Sequence, residues 1–323
     1  MGRRDRSRPG SATGKRVAAA PISDVREPAR NVPPLALGLI AAISVLWGLN
    51  WPVMKLAVGE LSPWTFRVIC VLVSGVGLLL VAWVSGDRLT LPRRYWPSLL
   101  FVAIFNVTGW NLLSAASLVH MGGGHGAIVA YTMPVWAMLF GVLWLGERLE
   151  TKRLLALALG MLAVGCLIGP DLVAFGQSPL GPLLMLGAAM CWAMGIVALK
   201  RHPWPIGIVA LSAWQMIVGS IPIVLLWLVI EPRPDLSRLT WVGMLATGYA
   251  STVALIFCFA AYNKVVTMLP AAVAAISTLV IPVVGLLSSA WLLDEPAVWR
   301  EFGAMLLVAA AIGLILLPRR AAN

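Results

Sequence analysis

Long apolar runs separated by short polar turns make up almost all of the chain after residue 32. A helix needs about 20 apolar residues to cross the hydrocarbon of a bilayer, and ten runs approach or exceed that length. We predict membrane helices over residues 35–58, 62–85, 95–118, 125–146, 152–170, 180–200, 207–230, 239–262, 269–293 and 299–317. The pattern therefore predicts an all-α integral membrane protein.

The second half of these runs repeats the first. The matched positions, at offsets of 145 or 148 residues, are Trp47 with Trp192, Lys55 with Lys200, Pro134 with Pro282, Glu147 with Glu295, and Gly165 with Gly313. The copies cover residues 35–170 and 180–318, with five predicted helices each. Because five is odd, the second copy enters the membrane from the opposite side. Inverted repeats around a central cavity are typical of secondary carriers that work by alternating access.

Charge distribution predicts the orientation of the chain in the membrane. With the amino terminus in the cytoplasm, all but five of the 24 Lys and Arg residues fall on cytoplasmic segments, the five being Lys55, Arg67, Arg233, Arg238 and Arg300. The positive-inside rule then places both termini in the cytoplasm and the protein in the inner (plasma) membrane. Topology accounts for the net charge of +11, so we expect no nucleic-acid partner.

Both termini of the chain extend beyond the predicted helices. Residues 1–32 are basic and contain no apolar run, which predicts a disordered cytoplasmic tail. Anionic lipid is an alternative partner for this tail. Residues 319–323 are expected to form a short cytoplasmic end.

Short motifs in both copies resemble a known family of membrane proteins. They are the Trp-Gly-x-Asn element at Trp47, Gly48 and Asn50 followed by Lys55, the run from Pro134 to Glu147 that ends in Gly-Glu-Arg, and its counterpart from Pro282 to Asp294, Glu295 and Pro296. On these residues the chain resembles the drug/metabolite transporter superfamily, in the ten-helix group with two EamA-type repeats. Within that group it resembles YddG-like exporters of amino acids and related metabolites. Gly195, where the first copy has Asn50, departs from the pattern.

Polar and aromatic side chains recur at mid-depth in several predicted helices. At about 100° per residue they share one face of the first, third, fourth and eighth helices, and hydrogen-bonding groups are not expected to face lipid. The predicted substrate-cavity residues are Trp47, Asn50, Trp51, Asn106, Trp110, Ser114, Thr132, Trp136, Trp192, Tyr249 and Thr252. Packing between helices is the alternative role of each single residue.

Charged side chains near the helix ends predict two gates. Lys55 and Arg67 enter the membrane from the outer side, where they are expected to attract a substrate carboxylate or to pair with Glu60. Together with Glu295 they form the predicted outer vestibule or gate, and Glu147 forms the predicted inner gate. Local ion pairing or helix capping is the alternative role of the two glutamates. None of the 13 acidic residues lies near the middle of a span, which disfavours a proton relay through carboxylates.

The sequence predicts neither a metal site nor a cofactor. Four cysteines lie in apolar runs without the close pairing of a redox or metal site, at Cys70, Cys166, Cys191 and Cys258. His120 and His125 flank three glycines without acidic partners. We therefore predict a transporter rather than an enzyme, with a small-molecule substrate and the lipid bilayer as its partners. Export of amino acids is the first choice. The alternatives are a carrier of nucleosides, aromatic acids or cationic compounds, a channel and an intramembrane enzyme.

Overall fold

Helices fill most of the described part of the chain. The computed structural model describes residues 32–120, 129–168, 180–231 and 233–292, together with residue 2 and eight positions between 299 and 314. The described helices belong to one unit, Asn31–Asn323. The predicted tail, the predicted carboxyl terminus and most of the predicted tenth helix lie outside the described residues.

The helices follow the predicted runs to within a few residues in most cases. The uninterrupted ones are α1 (Pro34–Val58), α2 (Pro63–Val84), α4 (Met133–Leu145), α5 (Thr151–Ile168), α6 (Leu180–Arg201) and α7 (Ile208–Ile230). Helix α3 continues through Trp96–Ala103, Ile104–Gly109 and Trp110–His120, and α8 through Trp241–Tyr249, Ala250–Cys258 and Phe259–Met268. Helix α9 has two segments, Ala271–Ser277 and Val280–Leu292.

Six helices in the described ranges are long and apolar enough to cross a membrane, namely α1, α2, α3 with its preceding turn, α6, α7 and α8. Helix α4 is apolar but has only 13 residues, because a turn at Tyr131 and Thr132 separates it from the helical residues 129 and 130. The start of the predicted run, at residue 125, lies in the undescribed segment 121–128. Helix α9 is interrupted at Thr278 and Leu279. The all-helical membrane fold is thus confirmed, whereas the predicted count of ten membrane helices is not.

Local sequence sets where the helices begin and end. Pro63 occupies the first turn of α2, where its missing N–H is not needed. Ser62 caps the same helix, its hydroxyl accepting from the Thr65 N–H at 3.1 Å. Helix α4 ends at Gly146, whose left-handed φ of 65° suits glycine. This turn directs the following residue, Glu147, back toward the bundle.

The two halves pack against each other along two pairs of helices. Helix α2 packs along α7, its counterpart in the repeat, and α1 packs along the second segment of α9. Glycine allows close approach at the second of these contacts, since a Cβ on Gly48 would collide with Val284. The core of the described bundle therefore lies between the halves.

Two π-helical segments interrupt the long helices at mid-span. They are Ile104–Gly109 in α3 and Ala250–Cys258 in α8. The offset of 145 maps the first segment onto residues 249–254, which overlaps the second. The repeat therefore places the same irregularity at the same position in both halves, and such segments are frequent at functional sites.

Side-chain contacts identify the two ends of the bundle. At one end the Glu60 carboxylate accepts from the Thr240 N–H at 2.7 Å and from its hydroxyl at 2.8 Å. At the other end Ser98 and His202 lie 3.2 Å apart, beside the α4–α5 turn that carries Glu147. We refer to these as the Glu60 end and the Glu147 end.

Candidate functional site

A cavity of about 160 Å³ lies between the two halves, from the middle of the bundle toward the Glu60 end. Both halves contribute to its wall. Six predicted cavity residues line it, namely Trp47, Asn50, Trp51, Asn106, Trp110 and Trp192. Arg67, predicted in the outer vestibule, also lines it.

Two tryptophans that are counterparts in the repeat meet at the cavity. The rings of Trp47 and Trp192 are 6.1 Å apart in an edge-to-face arrangement, and Trp110 lies 5.4 Å from Trp192. The Trp47 indole N–H donates to the Ala254 carbonyl, in the π-helical segment of α8, at 2.8 Å. Because counterparts of the two halves are in direct contact, the cavity lies at the junction of the halves.

An aromatic layer separates the cavity from the Glu147 end. Tyr262 is almost fully buried and packs against Trp47 at 5.5 Å and Trp192 at 5.8 Å. It follows Phe259, which lines the cavity, along α8 toward the Glu147 end. The three rings therefore close the cavity on that side.

Unpartnered amide groups face the cavity. Within the described residues, Oδ1 of Asn50 and both amide atoms of Asn106 are buried without a hydrogen-bond partner. Asn106 is only 2% exposed. A Cβ on Gly195 would collide with the Asn106 backbone, which gives a steric reason for glycine where the first copy has Asn50.

Arg67 reaches the cavity beside a further amide. Its Nη1 donates to Asn111 Oδ1 at 3.4 Å, and Asn111 Nδ2 donates to the Val107 carbonyl at 2.8 Å. The expected pair with Glu60 is not formed, since that carboxylate caps the start of α8 instead. Lys55 is exposed and lies outside the cavity wall.

Five predicted cavity residues are absent from the wall, namely Ser114, Thr132, Trp136, Tyr249 and Thr252. The hydroxyls of Ser114, Thr132 and Thr252 each donate to a carbonyl three or four residues earlier in the chain. Tyr249 donates to the Leu46 carbonyl at 2.9 Å and so joins α8 to α1. Trp136 packs against Phe140 with ring centroids 6.3 Å apart.

Sequence reasoning missed Asn111, although it lines the cavity with Asn106. On an ideal α-helix residues five apart point about 140° away from each other. The π-helical segment between them uses i→i+5 hydrogen bonds, which brings both side chains to the cavity. The sequence signal that could have identified Asn111 is its spacing of five residues from Asn106.

Glu147 forms a cluster that crosses between the halves. Its Oε1 accepts from Lys200 Nζ at 2.8 Å and from the Ala271 N–H at 2.9 Å. Lys200 Nζ also donates to the Leu269 carbonyl at 2.8 Å, and Arg153 Nη1 lies 3.8 Å from Glu147 Oε2. This carboxylate therefore caps the start of α9 while it links the α4–α5 turn to the end of α6.

The described residues contain no cluster of three or more His, Cys, Asp or Glu that could hold a metal ion. The four cysteines are free thiols. Glu295, predicted at the outer gate, and His125 lie outside the described residues.

A model of the EamA-like transporter family matches the chain twice, over residues 34–169 and 179–317. The chain belongs to the EamA-like transporter family. The resemblance drawn from the sequence motifs is thereby confirmed, and this transporter is a multi-pass membrane protein.

Similar transporters are known from bacteria. The protein is 27% identical over 281 residues to the "Uncharacterized transporter YvbV" of Bacillus subtilis (strain 168), covering 86% of this chain and 90% of the relative. It is 26% identical over 279 residues to the "Probable amino-acid metabolite efflux pump" of Escherichia coli (strain K12), covering 84% and 91%. It is 25% identical over 291 residues to the "Uncharacterized inner membrane transporter YedA" of the same strain, covering 90% and 93%.

The fold of this transporter is also that of a solved structure. A crystal structure of a protein with 19% sequence identity superposes with a TM-score of 0.74 and covers 89% of this chain and 99% of that chain. At this identity the likeness supports the fold alone.

Proposed function

We propose that the protein is a secondary carrier that exports small organic metabolites, amino acids first, across the inner (plasma) membrane by alternating access. Its two five-helix halves have inverted topology and both termini are cytoplasmic. The Glu147 end then faces the cytoplasm and the Glu60 end faces outward. Membership of a transporter family supports membrane transport, and the cavity geometry supports the finer statements.

The observation that carries the proposal is a cavity built from both halves and closed toward one end. Between the cavity and the cytoplasm lie the aromatic layer around Tyr262 and the cluster around Glu147. Opening to the cytoplasm requires the α4–α5 turn to separate from Lys200 and Ala271. Glu147 thus serves as the inner gate. Its repeat counterpart Glu295 serves, with Lys55 and Arg67, as the outer gate or vestibule.

The size and charge of the cavity favour small substrates that are not cations. A volume of about 160 Å³ is below the range of roughly 300–1,000 Å³ typical of sites for drug-sized ligands. In the part of the chain that the structure describes, the lining residues include a guanidinium but no acidic side chain. One relative is named an amino-acid metabolite efflux pump, which supports amino acids as the first substrates to test.

Counterflow in proteoliposomes tests this function. Vesicles loaded with an unlabelled amino acid are diluted into a trace of the same labelled amino acid, with protein-free vesicles as the control. A carrier accumulates label transiently above equilibrium, a channel does not, and an enzyme alters the compound. The panel includes leucine, phenylalanine, a nucleoside and a quaternary amine. Counterflow of the amine alone, or of no compound, contradicts the proposal.

A further inference from the structure

The charge of Arg67 is unbalanced within the described part of the protein. A guanidinium has five N–H donors, yet Arg67 makes one hydrogen bond to the described residues, with Asn111 at 3.4 Å. No acidic side chain among the described residues lines the cavity. The acidic groups described at the same end, Glu60, Glu231 and Asp235, each accept from hydroxyl groups of their own neighbours. Arg67 therefore has donor capacity and positive charge to offer to a ligand.

An arginine at this position suits a carboxylate. A cation within a membrane protein is normally paired or faces an aqueous cavity, and the planar guanidinium fork binds a carboxylate through two parallel hydrogen bonds. Asn111 fixes the direction of the guanidinium, because its Nδ2 is held by the Val107 carbonyl at 2.8 Å. The anion-binding group is thus positioned before any ligand arrives.

A second set of groups can receive a hydrogen-bond donor from the same ligand. Asn50 and Asn106 line the cavity, and their Oδ1 atoms have no partner among the described residues. A carboxamide oxygen accepts hydrogen bonds from an ammonium group. The wall thus offers neutral acceptors to an amino group and one cation to a carboxylate. It matches a zwitterionic ligand more closely than a ligand that carries only an amino group.

The rest of the wall is apolar. Four indole rings surround these polar groups, namely Trp47, Trp51, Trp110 and Trp192, and Phe66 also contributes. Such rings can pack around an apolar side chain of a ligand, and the few polar groups of the wall then fix the orientation of that ligand. Charge at one point, amides at a second and aromatic rings elsewhere amount to three-point recognition.

We propose that the cavity binds an α-amino acid with an apolar or aromatic side chain as its zwitterion. The carboxylate binds Arg67, which Asn111 positions, and the amino group donates to Asn50 and Asn106. The side chain packs against the tryptophans. This assignment names the substrate class of the carrier proposed above and rests on that function.

Ligand series on the purified full-length protein test the assignment without any substitution. Binding is followed by intrinsic tryptophan fluorescence and by calorimetry for phenylalanine, phenylalaninamide and 3-phenylpropanoate, and for the matching leucine series. Loss of a charge-assisted hydrogen-bonded pair should weaken binding at least about tenfold, so the amides should bind that much more weakly than the acids. The compounds that lack the amino group should bind more weakly by a smaller factor. Equal binding of acid and amide, or no binding of either amino acid, overturns the proposal.

Variants then assign the roles of the residues. Arg67→Gln should abolish the preference for acid over amide, Arg67→Lys should retain part of it, and the exposed Arg238→Gln at the same end serves as the matched control. Asn106→Leu should remove the preference for amino acid over 3-phenylpropanoate but keep the preference over the amide. An unchanged acid preference in Arg67→Gln overturns the assignment.

Counterflow separates this assignment from the carrier function. Counterflow of phenylalanine that Arg67→Gln leaves unchanged refutes the binding site and preserves the carrier. Carboxylate-dependent binding without counterflow of any amino acid supports the binding site and refutes the carrier function.

Discussion

Lys200 Nζ lies 2.8 Å from Glu147 Oε1, and this ion pair joins positions 53 residues apart in the chain. The same ammonium group donates to the carbonyl of Leu269. The carboxylate also accepts from the first N–H of α9. Three segments of the chain are therefore held together through one pair of side chains.

Removing the charge of Glu147 should loosen this end of the protein. In Glu147→Gln, Lys200 loses its anionic partner while both side chains are only partly exposed, at 13% and 25%. We expect the free energy of unfolding to fall by about 1–3 kcal/mol, measured as a lower midpoint of thermal unfolding in detergent. Glu150→Gln is the control, because Glu150 is more exposed, at 29%, and pairs with Arg153 only three residues away in the chain. That variant should change stability by less than about 0.5 kcal/mol.

A double-mutant cycle with Lys200→Met tests whether the pair acts as a unit. Coupled residues lose less together than the sum of their separate losses. Strictly additive effects on unfolding show that the two side chains are independent and remove the support for Glu147 as a gate.

Trp47→Phe should show how much the indole N–H of Trp47 contributes to stability and transport. The substitution keeps an aromatic ring but leaves the nearly buried Ala254 carbonyl without its donor at 2.8 Å. We expect a loss of about 1–2 kcal/mol in stability and slower counterflow. The control is Trp83→Phe, since that side chain is 67% exposed on the outside of the bundle. Equal midpoints for the two variants contradict the expectation.

Asn106 and Asn111 should respond in opposite ways to replacement by leucine. Asn106 has two unpartnered amide atoms, so Asn106→Leu should leave the stability of the empty protein unchanged or raise it by about 1 kcal/mol. Asn111→Leu removes an acceptor from Arg67 and a bond to Val107, and should lower stability by about 1–3 kcal/mol. Thermal unfolding without ligand measures both. Destabilisation of the Asn106 variant by more than the Asn111 variant shows that Asn106 has a structural role.

Gly195→Ala should disturb the contact between α3 and α6. The added Cβ would collide with the backbone and Cβ of Asn106, neither of which can rotate away. We expect a loss of about 1–3 kcal/mol and weaker ligand binding. Gly38→Ala in α1 is the control, because a Cβ there meets no atom within 4 Å; its midpoint should stay the same or rise slightly.

The sequence predicts the fold class and the centre of the site because both depend on local composition. Apolar runs define the helices, and the repeat pairs Trp47 with Trp192, whose contact at the junction of the halves follows from that pairing. Arg67 is recognisable as a cation that enters an apolar helix. These inferences need only the chain and the properties of a bilayer.

Cavity residues away from the middle of a helix are harder to predict, because the face of the helix on which they lie depends on the backbone register. The face assigned to Tyr249 and Thr252 assumes an ideal α-helix, but Ala250–Cys258 is π-helical. Thr252 is consequently exposed. The same irregularity in α3 brings Asn111 into the cavity. The hydrogen-bond partner of Glu60 cannot be predicted from the sequence either, since Glu60 binds Thr240, which is distant in sequence, rather than the nearby Arg67.

The π-helical segments also provide main-chain carbonyl acceptors at the cavity wall. Hydrogen bonds in such a segment run five residues along the chain, and here its carbonyls receive side-chain donors, Ala254 from an indole and Val107 from an amide. An ionised carboxylate in the same place would carry a large desolvation penalty. Main-chain carbonyls thus accept the side-chain donors in the low-dielectric interior, and no described carboxylate in the cavity wall offsets the positive charge of Arg67.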